Sequence, residues 1–90
     1  MSNAGRSISA HTLAERCAKS ALFRLGYESY MQGKTFDYAI ADQAAFYERG
    51  RIFAIFTQHA KAPRATWRQG LLAKTARERI VQSCYAGYMR

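Results

Sequence analysis

The residues of this chain best placed to do chemistry are its cations. From Lys61 to Arg90, seven bases (Lys61, Arg64, Arg68, Lys74, Arg77, Arg79 and Arg90) stand against one acid, Glu78, whereas the first sixty residues hold seven bases and five acids. The formal charge of +8 therefore divides into +2 (seven less five) and +6 (seven less one). Charge of one sign on one segment makes a local field that attracts phosphates, anionic lipid or acidic protein faces. Lys and Arg that neutralise phosphates also release condensed counterions, so such binding weakens with salt. Trp67 lies between Arg64 and Arg68, which suits an unpaired base stacked on the indole with its flanking phosphates held by guanidinium groups. Arg64, Trp67, Arg68, Lys74, Arg77 and Arg79 are the candidate nucleic-acid-binding residues.

Bond-making chemistry finds no comparable set. His11 and His59 are isolated, and the serines lack the glycine frame of a nucleophile elbow. The acids fall in no register that suggests paired general acid and base. Gly33-Lys34-Thr35 echoes the tail of a phosphate loop without its first glycine or its preceding strand. Cys17 and Cys84 form no CxxC or Cys/His cluster, so both read as free thiols on apolar helix faces, with no disulfide scaffold and no metal. We therefore expect a non-enzymatic protein with no cofactor and no small-molecule substrate. The opening MSNAGRSIS lacks an apolar signal core and no apolar run is long enough to span a bilayer, so a cytoplasmic location and no membrane partner are expected.

The elements that must position the cations follow from periodicity. Residues 1–8 are small and polar and read as a flexible N-terminus, and 9–90 read as one helical domain. A first helix is expected from Thr12, where Thr12-x-x-Glu15 has capping-box spacing, to about Gln32, with Gly33 as its stop. Ala14, Cys17, Ala18, Ala21, Leu22, Leu25 and Ser29 form its apolar stripe. The linker Lys34 to Ala41 is expected as an ordered loop packing its aromatics on the core. Asp42 is the expected N-cap of a second helix to His59, and Pro63 ends that element. Thr66-x-x-Gln69 has capping-box spacing for a third, with Leu72, Ala76, Ile80, Cys84 and Tyr88 along one face. The fold class is all-α: a compact three-helix domain with short connections.

Helix two is more apolar than a freely exposed helix. Tyr47, Ile52, Phe53 and Phe56 are the candidate protein-interaction residues, since aromatic groups in a desolvated patch suit a tight contact. A buried central helix, a homodimer interface and a contact with a host protein are the outlets for that face. Gly26, inside a helix at a cost of about 1 kcal/mol relative to alanine, asks for a packing reason.

Gly26-Tyr27, five residues, Gly33-Lys34, a loop, then Tyr47-x-x-Gly50 resembles the pattern of the small ribosome modulation factors of bacteria and their phage-borne relatives. The likeness spans about residues 20–56, with Tyr47 and Gly50 where that family has a tryptophan and a glycine. The family's Cys-Pro-Tyr loop is absent, and its fold has no counterpart of helix three. The resemblance implies a basic unit that binds ribosomal RNA and silences translation. The leading expectation is a small basic protein docking on RNA or a ribonucleoprotein such as the ribosome. The alternative is a small, phage-type inhibitor or adaptor that blocks a host protein complex through the helix-two aromatics, with an acidic protein as partner.

Overall fold

Hydroxyl and carboxylate groups decide where the first helices begin. The computed structural model describes residues 8–42 and 44–89; the segment expected to be flexible lies outside them apart from Ile8. Ser9 caps α1 (Ala10–Lys19), its Oγ accepting the Thr12 N–H at 3.1 Å. The helix thus starts ahead of the expected Thr12. Ser20 ends α1 by donating its N–H to the Cys17 carbonyl and opens α2 (Ala21–Met31) by accepting the Phe23 N–H at 3.1 Å. The single helix expected from Thr12 to Gln32 is therefore two, because a serine hydroxyl offers the backbone an alternative to the helical ladder. The break also re-phases the apolar stripe. Phe23, Gly26, Tyr27 and Ser29 turn inward, while Leu22 and Leu25 remain exposed.

Gly33 stops α2 at φ +77°, as its position predicts, with the Lys34 N–H donating to the Ser29 carbonyl. A single turn, α3 (Tyr38–Ala41), follows, its N–H groups at Ala39 and Ile40 donating to the Asp37 carboxylate. Asp42 closes this turn and does not cap the next helix. That helix, α4 (Ala45–His59), begins at Ala44 without a side-chain cap. It ends through Lys61 at φ 54°, with the Ala62 N–H donating to the Thr57 carbonyl, before Pro63 is reached.

The third expected helix begins later than its capping-box spacing implies. Trp67–Arg68 (β1) and Leu71–Leu72 (β2) pair antiparallel, Trp67 opposite Leu72 and Arg68 opposite Leu71. Gln69 and Gly70 both take positive φ, 54° and 79°, which is the turn that matches strand twist in a two-residue hairpin. Only then does α5 (Lys74–Tyr85) start. The fold is mostly helical, with five helices and one small hairpin among the described residues where three helices were expected.

Two glycines organise the core. A Cβ on Gly26 would lie 2.0 Å from the Tyr47 carbonyl oxygen, and one on Gly50 would lie 2.0 Å from the Phe23 carbonyl oxygen. The backbones of α2 and α4 therefore touch, each at the other's glycine. Phe23, Tyr27 and Phe53 fill the space beside this crossing, with ring centroids 5.6 and 5.8 Å apart. Leu13, Ala14 and Cys17 of α1 and Ala76 and Ile80 of α5 complete the same core.

Gly26→Ala and Gly50→Ala should each cost at least about 3 kcal/mol, the upper end of overpacking penalties, because backbone must move to admit the methyl group. Gly33→Ala, with open space around it, should cost only about 1 kcal/mol through its left-handed φ. Denaturant midpoints check both values. Burial also pushes the Cys17 thiol up to about 12 from 9.0. The fold thus favours the protonated thiol, a contribution complete below pH 9 and lost as pH rises from 9 toward about 12. An aromatic disulfide reagent near neutral pH should modify the partly exposed Cys84 first and Cys17 only at the rate of unfolding. Equal rates would contradict the burial.

Candidate nucleic-acid interface

The cations of the C-terminal segment do not share one helix face. Arg64 and Arg68 flank Trp67 in the linker and hairpin, and only Lys74, Arg77 and Arg79 belong to α5. At 100° per residue, Arg79 points about 140° away from Lys74 around that helix. The candidate cations, expected within or just ahead of a third helix, therefore fall into separate groups.

The first group surrounds the hairpin. Strand alternation turns Trp67 toward the core and Arg68 outward. The indole lies 5.4 Å from the Tyr27 ring, and the Arg24 guanidinium sits 5.2 Å from the indole centroid. Arg64 lies over Tyr27 at 5.9 Å. Glu28 receives both Arg64 and, at 3.8 Å, Arg24. Trp67 is thus half-buried against the core, and its Nε1–H is enclosed without a hydrogen-bond partner. The open indole suited to base stacking is not what this arrangement presents. One guanidinium already occupies part of its surface. Arg24 was not among the expected site residues, and its only advance signal is Glu28 one helical turn later.

Tyr27 links this group to the core. Its ring is fully buried, and its hydroxyl accepts the Ala65 N–H at 2.9 Å. That bond fixes the chain entering the hairpin, and so the position of Arg64, Trp67 and Arg68.

The second group lines an open cleft of about 560 Å³ between α1 and α5. Lys74 and Arg77 face it with His11, Glu15, Glu78 and Gln82. Arg77 donates from Nη1 to the Glu15 carboxylate at 3.1 Å, and its Nε is buried without a partner. The exposed ion pairs here are worth about 0–1 kcal/mol each, so they hold geometry more than they stabilise the fold. Among the described residues, Arg68, Lys74 and Arg79 make no ion pair, while Arg64 and Arg77 do.

The helix-two residues sort differently. Tyr47 and Phe53 are buried, 1% and 0% exposed, which corrects their reading as surface contacts: they fill the space beside the glycine crossing. Ile52 is half-buried, and Phe56 is half-buried against Tyr88 at 5.1 Å between centroids. The aromatic excess of this helix is largely used up by the chain's own core and C-terminal segment. Among the described residues, no group of three or more His, Cys, Asp or Glu could hold a metal ion, and no helix is long and apolar enough to cross a membrane.

Phe53→Ala should cost about 3–5 kcal/mol, the range for deleting a buried aromatic ring. Thermal or denaturant unfolding checks this, and an unchanged midpoint would mean that the ring is not in the core. No protein-family model, curated protein or solved structure matches the chain, so its chemistry rests on its own geometry.

Proposed function

We propose that this chain is a small non-enzymatic binding protein that docks on RNA or a ribonucleoprotein such as the ribosome, in the cytoplasm. The observation that carries the reading is the disposition of charge: of the candidate cations, Arg68, Lys74 and Arg79 make no ion pair among the described residues. Their segment carries a single acid. Charges left in this state are available to neutralise phosphates and release counterions. Arg68 stands outward beside the hairpin turn, and Arg24 and Arg64 lie over Trp67 and Tyr27 on the core side.

The glycine–tyrosine pattern shared with the ribosome modulation factors supports ribosomal RNA as the first target to try. In this chain Gly26 and Gly50 form a helix crossing, and Tyr27 and Tyr47 are buried beside it. The shared residues are therefore scaffold here, and binding to RNA falls to cations outside the pattern.

Titration of labelled ribosomal RNA fragments across a salt series tests the reading. The logarithm of affinity should fall linearly with the logarithm of salt concentration. The combined variant Arg68→Ala, Lys74→Ala and Arg79→Ala should weaken binding to all sequences alike. It should also lower the slope by about 2 to 3, at about 0.7–0.9 for each phosphate that is no longer neutralised. Wild-type affinity and slope in that variant would overturn the assignment.

A further inference from the structure

A second feature lies away from the hairpin, where α2 hands over to α3. Tyr38 is 75% exposed, yet its ring rests against a second aromatic ring that is itself anchored. Phe36 lies against it edge-on at 4.8 Å, and Phe36 in turn packs on the buried Tyr47 at 5.6 Å. The backbone between them is pinned twice: the Asp37 N–H donates to the Tyr47 hydroxyl at 3.1 Å, and the Asp37 carboxylate accepts the N–H groups that open α3. Arg51 completes the arrangement. Its guanidinium lies 5.4 Å from the Tyr30 ring and 5.6 Å from the Phe36 ring, and donates to the Lys34 carbonyl at 3.0 Å. Among the described residues Arg51 has no ion-pair partner.

A single exposed aromatic residue is ordinary on a protein surface. Tyr85, 77% exposed, is such a case, since it makes no ring or guanidinium contact among the described residues. Tyr38 differs in being fixed beside a second ring, with Arg51 stacked behind that ring and Lys34 close in the chain. Aromatic faces held next to cations are how sequence-tolerant binders of single strands work: each base stacks on a ring while the charge follows the backbone. Asp37, the nearest acid in sequence, caps α3 through its carboxylate and keeps its charge there.

We propose that Tyr38, supported by Phe36, which Arg51 backs, and with Lys34 four residues earlier in the chain, is a stacking platform for an unpaired base of a single-stranded RNA. This rests on the RNA-docking function proposed above and specifies it: the hairpin and α5 cations supply sequence-independent charge, and Tyr38 favours unpaired over duplex RNA. A paired base keeps its faces covered by its neighbours and has none to offer the ring.

The test compares binding of a short labelled oligouridine and an RNA duplex of the same length, at low salt, to the full chain and its variants. Tyr38→Ala should weaken oligouridine binding about tenfold, the effect of removing one stacking partner, and leave duplex binding unchanged. Tyr38→Phe should bind both as the wild type does, because the ring is kept. Since the side chain is mostly in water, circular dichroism should show both variants folded. If the wild type binds both RNAs and Tyr38→Ala changes neither, or weakens both equally, the platform is overturned while the charge-based reading stands. Loss of oligouridine binding in Tyr38→Phe as well would assign the effect to the hydroxyl and overturn stacking. A wild type that binds neither RNA would remove both proposals.

Discussion

The contact on which this structure depends is the crossing of α2 and α4 at Gly26 and Gly50. Each glycine lets the partner backbone come where a Cβ would stand. The close approach puts Tyr27 and Tyr47, the residues next to or one turn from those glycines, into the interior with their hydroxyl groups still hydrogen-bonded. Each hydroxyl accepts a backbone N–H from a segment that has no helix of its own to satisfy it: Ala65 before the hairpin, and Asp37 before α3. A buried tyrosine needs such a partner, and a linker N–H needs such an acceptor. One helix crossing therefore positions both surface features from which function is argued, although neither glycine touches them.

The charges divide along the same lines. Glu15 and Glu28 hold arginines across element boundaries, joining α1 to α5 and α2 to the linker before the hairpin. Asp37 caps a helix turn. Half of the six acids are thus engaged in holding the fold, and the C-terminal cations outnumber what remains. A field of one sign on a compact surface raises the encounter rate with polyanions and makes the encounter sensitive to salt. The arginines that lie on Trp67, Tyr27, Tyr30 and Phe36 serve a second purpose, covering ring faces with their flat guanidinium groups while keeping their charge.

Much of this was legible in the residues, for physical reasons that also mark where legibility ended. Helical content over 12–32, 42–59 and from Thr66 onward was expected from periodicity, the last of these met only over Lys74–Tyr85, Gly33 from its need for positive φ, and a packing role for Gly26 from the cost of glycine inside a helix. The break at Ser20 was hidden because Ala14, Cys17, Ala21 and Leu25 sustain a helical stripe through it, and only the serine hydroxyl signals the cap. Thr66 and Gln69 match capping-box spacing, but Gly70 after Gln69 suits a tight turn equally well, and two-residue strands are too short to show alternation. The burial of Tyr47 and Phe53 could not be told from an exposed interface by composition. It was decided by how closely Gly50 lets α4 approach α2. The expectation that the linker aromatics all pack inward fails at Tyr38, because the Asp37 cap opens a helix turn there and leaves that ring in water.

Affinity purification from a bacterial lysate, with and without nuclease and at low and high salt, tests the central claim most directly. The account predicts that ribosomal or other RNA is recovered with the protein at low salt, and that it is lost both on nuclease treatment and at high salt. A single protein retained through nuclease and high salt, with no RNA recovered under any condition, would contradict it.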